Sequence, residues 1–194
     1  MINVKIICVG KLKEKYLDDA IKEYSKRLSR FCKLEILELP DEKLPVNYSE
    51  ALYNEVKEKE AKLILSKINQ KSSYIICLDE TGKEFSSPKL AEKLDSIFTN
   101  VSSSLTFVIG GSLGLSNTVK EKADLILSFS KLTFPHQLFR VFLLEQLFRC
   151  FKILNNEQYH HWFPFFSFFV DRFLWKQCDY RCFLSFFVVY CSYT

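Results

Sequence analysis

His136 and Arg140 stand four residues apart at the start of a long apolar segment, a spacing that puts an imidazole and a guanidinium on one face of a helix. The pair offers a group that exchanges protons near neutrality beside a fixed cation. The same residues also fit a plainer reading, a histidine bonded to backbone at a helix N-terminus and a solvated charge. Upstream, Ile109-Gly110-Gly111-Ser112-Leu113-Gly114-Leu115 places glycines where an apolar run ends. Backbone without a Cβ can approach a ligand closely there, and it equally serves a tight turn from strand to helix. No Gly-Lys-Ser/Thr follows, and the glycine spacing is not that of the dinucleotide fingerprint, so a phosphate cradle is disfavoured. A phenol and two imidazoles, Tyr159-His160-His161, follow the last apolar segment, as chemistry or as a polar terminus. Cys178 and Cys182 lack the two-residue knuckle spacing and a matching second pair, so no metal is expected from them and the neighbouring histidines.

The elements that must hold these groups alternate. Val4–Val9 is β-branched and stops at Gly10, and Lys13–Leu28 then carries Leu17, Ile21, Tyr24 and Leu28 at helical spacing. Leu34–Leu39 ends at Pro40, and Tyr48–Ile68 repeats the helical pattern with Leu52, Val56, Ala61 and Leu65. Tyr74–Leu78 reads as a third strand turned by Thr81-Gly82, with Ser87-Pro88 supplying the cap and first residue of the next helix. Leu105–Ile109 and Leu125–Leu127 are a fourth and a fifth strand, separated by a short helix capped by Ser116. A last helix from Pro135 to Leu154 is apolar around most of its circumference, which calls for cover from the sheet and from a second subunit. Such βα units build an α/β fold with a mostly parallel sheet and helices on both faces.

The chain has 194 residues, enough for one catalytic domain of ordinary size. Its formal charge of +4 permits a polyanionic partner without indicating one. Seven cysteines, an odd number, in a chain with no secretory leader point to reduced thiols and a cytoplasmic location.

Taken together, Gly10–Tyr16, Pro40-Asp41-Glu42-Lys43, Val108–Ser112, Leu127–Arg140 and Tyr159-His160 resemble one family. It is the SPOUT-class methyltransferases that modify N3 of a pseudouridine in the 23S RNA of the large ribosomal subunit. The resemblance runs from Met1 to about His161 and is most distinctive over Ser128–Gln137. It implies a trefoil knot and a homodimer with its interface beside the cofactor. It also implies S-adenosylmethionine held by Leu78, Gly110 and the loop Phe129-Ser130-Lys131-Leu132-Thr133-Phe134. Methyl transfer to an imide nitrogen requires that nitrogen's proton to leave. Of the candidates His136, Arg140, Tyr159 and His160, Arg140 would hold a phosphate or developing negative charge. Tyr159 and His160 would position or deprotonate the base. The substrate would be 23S ribosomal RNA within the large subunit or the whole ribosome, with no membrane and no DNA involved.

Residues 1–161 thus read as the methyltransferase domain. Residues 162–194 depart from the family: both tryptophans, many phenylalanines, three cysteines and no glycine or alanine. This extension reads either as a packed satellite or as a poorly ordered product of a shifted or read-through frame. Asp171-Arg172 and Lys176 interrupt its apolar runs, so it is no membrane span. Two other functions compete with the enzyme: a knotted protein that binds ribosomes without transferring methyl groups, and a generic α/β nucleotide-binding module.

Overall fold

Five strands of four to eleven residues, built on runs of Ile, Leu and Val, pair in the order β2-β1-β4-β3-β5. The strands are β1 (Ile2–Val9), β2 (Cys32–Leu39), β3 (Tyr74–Glu84), β4 (Ser104–Ile109) and β5 (Leu125–Ser128). Every pairing is parallel, so all five carboxyl ends point the same way. The helices are α1 (Lys15–Leu28), α2 (Glu50–Lys67), α3 (Ser87–Asn100), α4 (Asn117–Lys120) and α5 (His136–Leu154). This computed structural model describes residues 2–42, 49–68 and 72–157, all within one compact unit, Met1–Tyr159.

Alternate side chains of each strand feed two cores, as a sheet buried on both faces requires. On one face Val4, Ile6 and Cys8 of β1, Ile76 and Leu78 of β3 and Phe107 of β4 meet α1, α3 and α5. On the other, Ile7, Val9, Ile75, Cys77 and Val108 meet Ala61 and Ile64 of α2 and Val119 of α4. Serines cap two of these helices as their positions suggest. Ser49 accepts from the Leu52 amide at 3.2 Å and Ser116 from the Val119 amide at 3.3 Å.

Two expectations need correction. Thr81-Gly82 does not end β3. The strand runs on to Glu84, and Leu127 of β5 is paired first with Leu78 and again with Lys83. Asp79–Gly82 therefore arches over the end of β5, and a Cβ on Gly82 would lie 2.7 Å from the Leu127 carbonyl carbon. Ser87 is not the cap of α3: Ser86 precedes the helix without a side-chain cap bond, and the Ser87 hydroxyl instead donates to Gln146 Oε1 of α5 at 2.9 Å. Along α5, α1 and α3 of the same chain cover much of the apolar girth, and Leu138, Phe139 and Phe142 near its start stay half-buried. Phe31 and Phe98 both stack on Phe151, at 5.5 and 6.0 Å, while Tyr24 meets Phe148 edge-on.

Candidate active site

A parallel sheet gathers at its carboxyl end every loop that follows a strand, the place where open α/β sheets take their ligands. Leu78 lies within β3 where its pairing with β4 ends, in register with both Ile109 and Leu127, while Gly110 and Phe129 follow β4 and β5, its neighbours in the sheet. The sequence-predicted cofactor residues are thus brought together across adjacent strands. Gly110 is fixed by its own turn: a Cβ there would meet the Gly114 carbonyl carbon at 2.7 Å. That turn closes through the Gly114 amide donating to Gly111 O at 3.1 Å, with Gly114 at φ +71°.

The loop from Phe129 to Phe134 is shaped by its own side chains. Ser130 Oγ accepts from the Leu132 amide at 3.0 Å, and the Ser128 hydroxyl donates to Ser130 O at 3.1 Å. Lys131 reaches back to the arch, donating to Glu80 O at 3.1 Å. Phe129 and Phe134 pack on Phe139 of α5 at 5.1 and 5.9 Å. Asp79 steadies the other side of the arch, accepting from the Thr81 amide and hydroxyl and pairing with Lys120 at 2.6 Å. Burial pushes the Asp79 carboxyl up, but these bonds outweigh it and hold it below the usual carboxylate range. In this loop Leu132 is 70% exposed. This apolar, backbone-rich setting fits an adenosyl group.

One residue beyond that loop and Pro135, α5 begins with His136, and the pair four apart does share a face. A Cβ on Gly10 would sit 3.3 Å from His136 Nε2 and 3.9 Å from an Arg140 terminal nitrogen, so both side chains lie over Gly10 at the end of β1. Gly10 takes φ +89°, a left-handed turn that leaves room for the imidazole. Burial, then the Arg140 charge, depress the histidine's affinity for a proton; Lys13 adds to this and Asp41 opposes it.

Arg140 is not the solvated charge that one reading allowed. It is 1% exposed. Its guanidinium donates to Glu38 Oε1 at 2.6 Å, to Val9 O at 3.1 Å and to Gly10 O at 2.7 Å. It ties the start of α5 to the ends of β1 and β2 rather than standing free for a phosphate. Tyr159, His160, His161, Cys178 and Cys182 lie outside the described residues.

Sequence reasoning missed three residues here. Glu38 Oε1 also accepts from the Leu12 amide at 3.2 Å, and Gln137 Oε1 accepts from the Lys13 amide at 3.0 Å. Glu60 of α2 is buried, with Oε2 3.4 Å from where a Gly111 Cβ would be. Burial raises its proton affinity; the Glu42 amide, which donates to Oε1 at 3.4 Å, opposes this, and the charges of Asp41 and Glu42 add to it. Glu60 Oε2 and Arg140 Nε are the two buried side-chain polar atoms without a hydrogen-bond partner among the described residues. Both sit where β1 and β4 end, and unsatisfied groups gather where function overrides packing. The available signal was a glutamate at a core position of α2. Four thiols, Cys8, Cys32, Cys77 and Cys150, are pushed by burial to between about 11 and about 12, which removes them as nucleophiles at neutral pH.

Comparison with known proteins adds relatives to this geometry. The sequence model described as predicted SPOUT methyltransferase matches residues 2–160. A ribosomal RNA large subunit methyltransferase H 1 of Clostridium perfringens is 58% identical over 159 residues, 82% of this chain and 99% of the relative. A putative ribosomal RNA large subunit methyltransferase H of Methanococcus maripaludis is 53% identical over the same shares. The counterpart from Clostridium botulinum strain 657 is 54% identical, again over 82% of this chain and 99% of the relative.

Proposed function

Since the chain belongs to the SPOUT methyltransferase family, we propose that it transfers a methyl group from S-adenosylmethionine to N3 of a pseudouridine in 23S ribosomal RNA. It acts as a homodimer in the cytoplasm, on the large subunit or the whole ribosome. Membership makes the fold the trefoil-knotted α/β class. The observation that carries the reading is the meeting, at one end of the sheet, of Leu78, Gly110 and the Phe129–Phe134 loop with His136 on the next turn.

Leu78, Gly110 and the backbone of Phe129, Ser130, Lys131, Leu132, Thr133 and Phe134 would hold the cofactor, which supplies an electrophilic methyl on a sulfonium. The protein's task is orientation and proton management. An imide nitrogen is a nucleophile only once its proton has gone, and His136, held neutral by burial and by Arg140, is able to accept one. Tyr159 and His160, next along the chain from α5, share the positioning of the base in this reading. Arg140 ties the first turn of α5, which carries His136, to the Gly10 carbonyl and places one positive charge behind the site.

Labelled S-adenosylmethionine, incubated with the protein and either ribosomes or naked 23S RNA lacking the modification, tests this. Label should enter a single pseudouridine, identified as the N3-methyl nucleoside by mass spectrometry, with ribosomes preferred. Ribosome binding without label would leave the non-catalytic alternative standing.

No helix among the described residues is long and apolar enough to cross a membrane.

A further inference from the structure

From Gly10, over which His136 lies, the chain runs into the first turn of α1, and this stretch is strongly cationic. Lys11, Lys13 and Lys15 are exposed, Glu14 is the one acidic residue among them, and Tyr16 keeps 51% of its surface open to solvent. Leu12 alone turns inward, half-buried against the core. Lys22, Lys59, Lys89 and Lys120 all pair with carboxylates. Among the described residues none lies within 4.0 Å of an ammonium of Lys11, Lys13 or Lys15 to neutralise it.

The stretch is also rigidly placed. The Gly10 carbonyl accepts from Arg140, the Leu12 amide donates to Glu38, and the Lys13 amide donates to Gln137, the residue after His136. The lysines therefore stand at a set position relative to the imidazole, close enough that Lys13 influences its protonation. Held by main-chain bonds, the strip would lose little conformational freedom when a ligand binds.

We propose that Lys11, Lys13, Lys15 and Tyr16 form the docking strip for the substrate RNA strand, the ammonium groups on consecutive phosphates and the Tyr16 ring against an unpaired base. This rests on the RNA-methyltransferase reading, and it assigns phosphate recognition to the strip rather than to Arg140, whose guanidinium is committed inside the protein. Alternating cations beside an open aromatic ring match the two features of a single strand, its charged backbone and its stacking faces.

The test uses the full-length protein with cofactor bound, measuring affinity for purified ribosomes and for a single-stranded RNA oligonucleotide over a range of salt. Replacing Lys11, Lys13 and Lys15 together by alanine should make the slope of log affinity against log salt shallower by about 2 to 3, the release expected from three phosphate contacts. S-adenosylmethionine affinity and the thermal midpoint should not move, since these side chains carry neither packing nor the anchoring bonds. Arginines at the three positions should restore the slope, and Tyr16→Ala should weaken binding with the slope unchanged. An unchanged slope in the triple alanine variant would overturn the proposal. So would loss of ribosome binding with oligonucleotide binding intact, which would make the strip a contact for a ribosomal protein. If the wild type shows the slope and its loss in the variant yet transfers no methyl group, the catalytic reading falls and the docking strip stands.

Discussion

His136 sits under the influence of Arg140 on its own helix, Lys13 before α1 and Asp41 after β2, with Glu38 of β2 neutralising part of the arginine. The balance lowers its proton affinity in the fold. An unfolded chain, with histidine at its ordinary 6.5, then takes up a proton first as pH falls. The neutral imidazole therefore contributes its full share of stability above about pH 6.5, a share lost as pH falls through the window below it. Urea unfolding at several pH values should show this, and His136→Gln should flatten the dependence. Glu38→Gln leaves the arginine's charge uncompensated, so an NMR titration should find the His136 midpoint lower than in the wild type; a rise would remove Glu38 from the network. Arg140→Ala strips Val9 O, Gly10 O and Glu38 of their shared donor. Because Glu38 keeps 32% of its side chain exposed, the expected cost is about 2–3 kcal/mol by urea unfolding, below that of a fully enclosed pair. Residue spacing alone revealed that His136 and Arg140 share a face. It was silent on the arginine's burial, because the partner that makes burial tolerable lies 102 residues away on β2.

What was legible among the elements follows from periodicity. Apart from the far end of β3, the strands and long helices were placed to within a few residues because their apolar repeats are local, and Ser116 could be read as a cap because capping acts within one turn. The arch of Asp79–Gly82 was not legible, since Thr-Gly signals a turn wherever it stands, and only the presence of β5 beneath it makes the strand resume. That makes Gly82 an element-scale test. Its missing side chain lets the arch lie on β5, with Ile126 and Leu127 backbone atoms 2.7–2.8 Å from a Cβ, and main chain cannot yield as a flexible side chain would. Gly82→Ala should lift the arch, and with it Lys131, which is bonded to Glu80 O. Because the Phe129–Phe134 loop goes with Lys131, cofactor affinity measured by calorimetry should fall about tenfold or more, about 1.4 kcal/mol. Lys83→Ala, exposed on the same strand, should change it little. Equal affinities in both variants would mean that the arch does not hold the cofactor loop.

At the scale of the molecule, α1 and α3 cover only part of the apolar girth of α5, so the argument for a dimer narrows to what they leave open. The expectation passes to the aromatic surface around the cofactor loop, where Phe129, Phe134, Phe139 and Phe142 are only half-buried and Leu132 is open. Light scattering at micromolar concentration with cofactor bound should find two copies, and a monomer would contradict the proposal. The C-terminal extension poses the larger question. The matched segment ends at residue 160 and already spans 99% of relatives that are methyltransferases in their own right, so the fold and the candidate site lie wholly inside it. Beyond it come Trp162, Phe163, Phe165, Phe166, Phe168 and Phe169 in close succession, with Pro164 and Ser167 the only interruptions. Apolar surface at that density lowers solubility unless something covers it. It also begins next to Tyr159 and His160, which the proposed mechanism places at the substrate. Truncation after His161 should therefore leave cofactor affinity unchanged, raise the soluble yield and leave methyl transfer to ribosomes equal or faster. The outcome that would reverse this is a truncated protein that is still dimeric and still binds cofactor but no longer methylates, for then residues 162–194 would be a working part of the site.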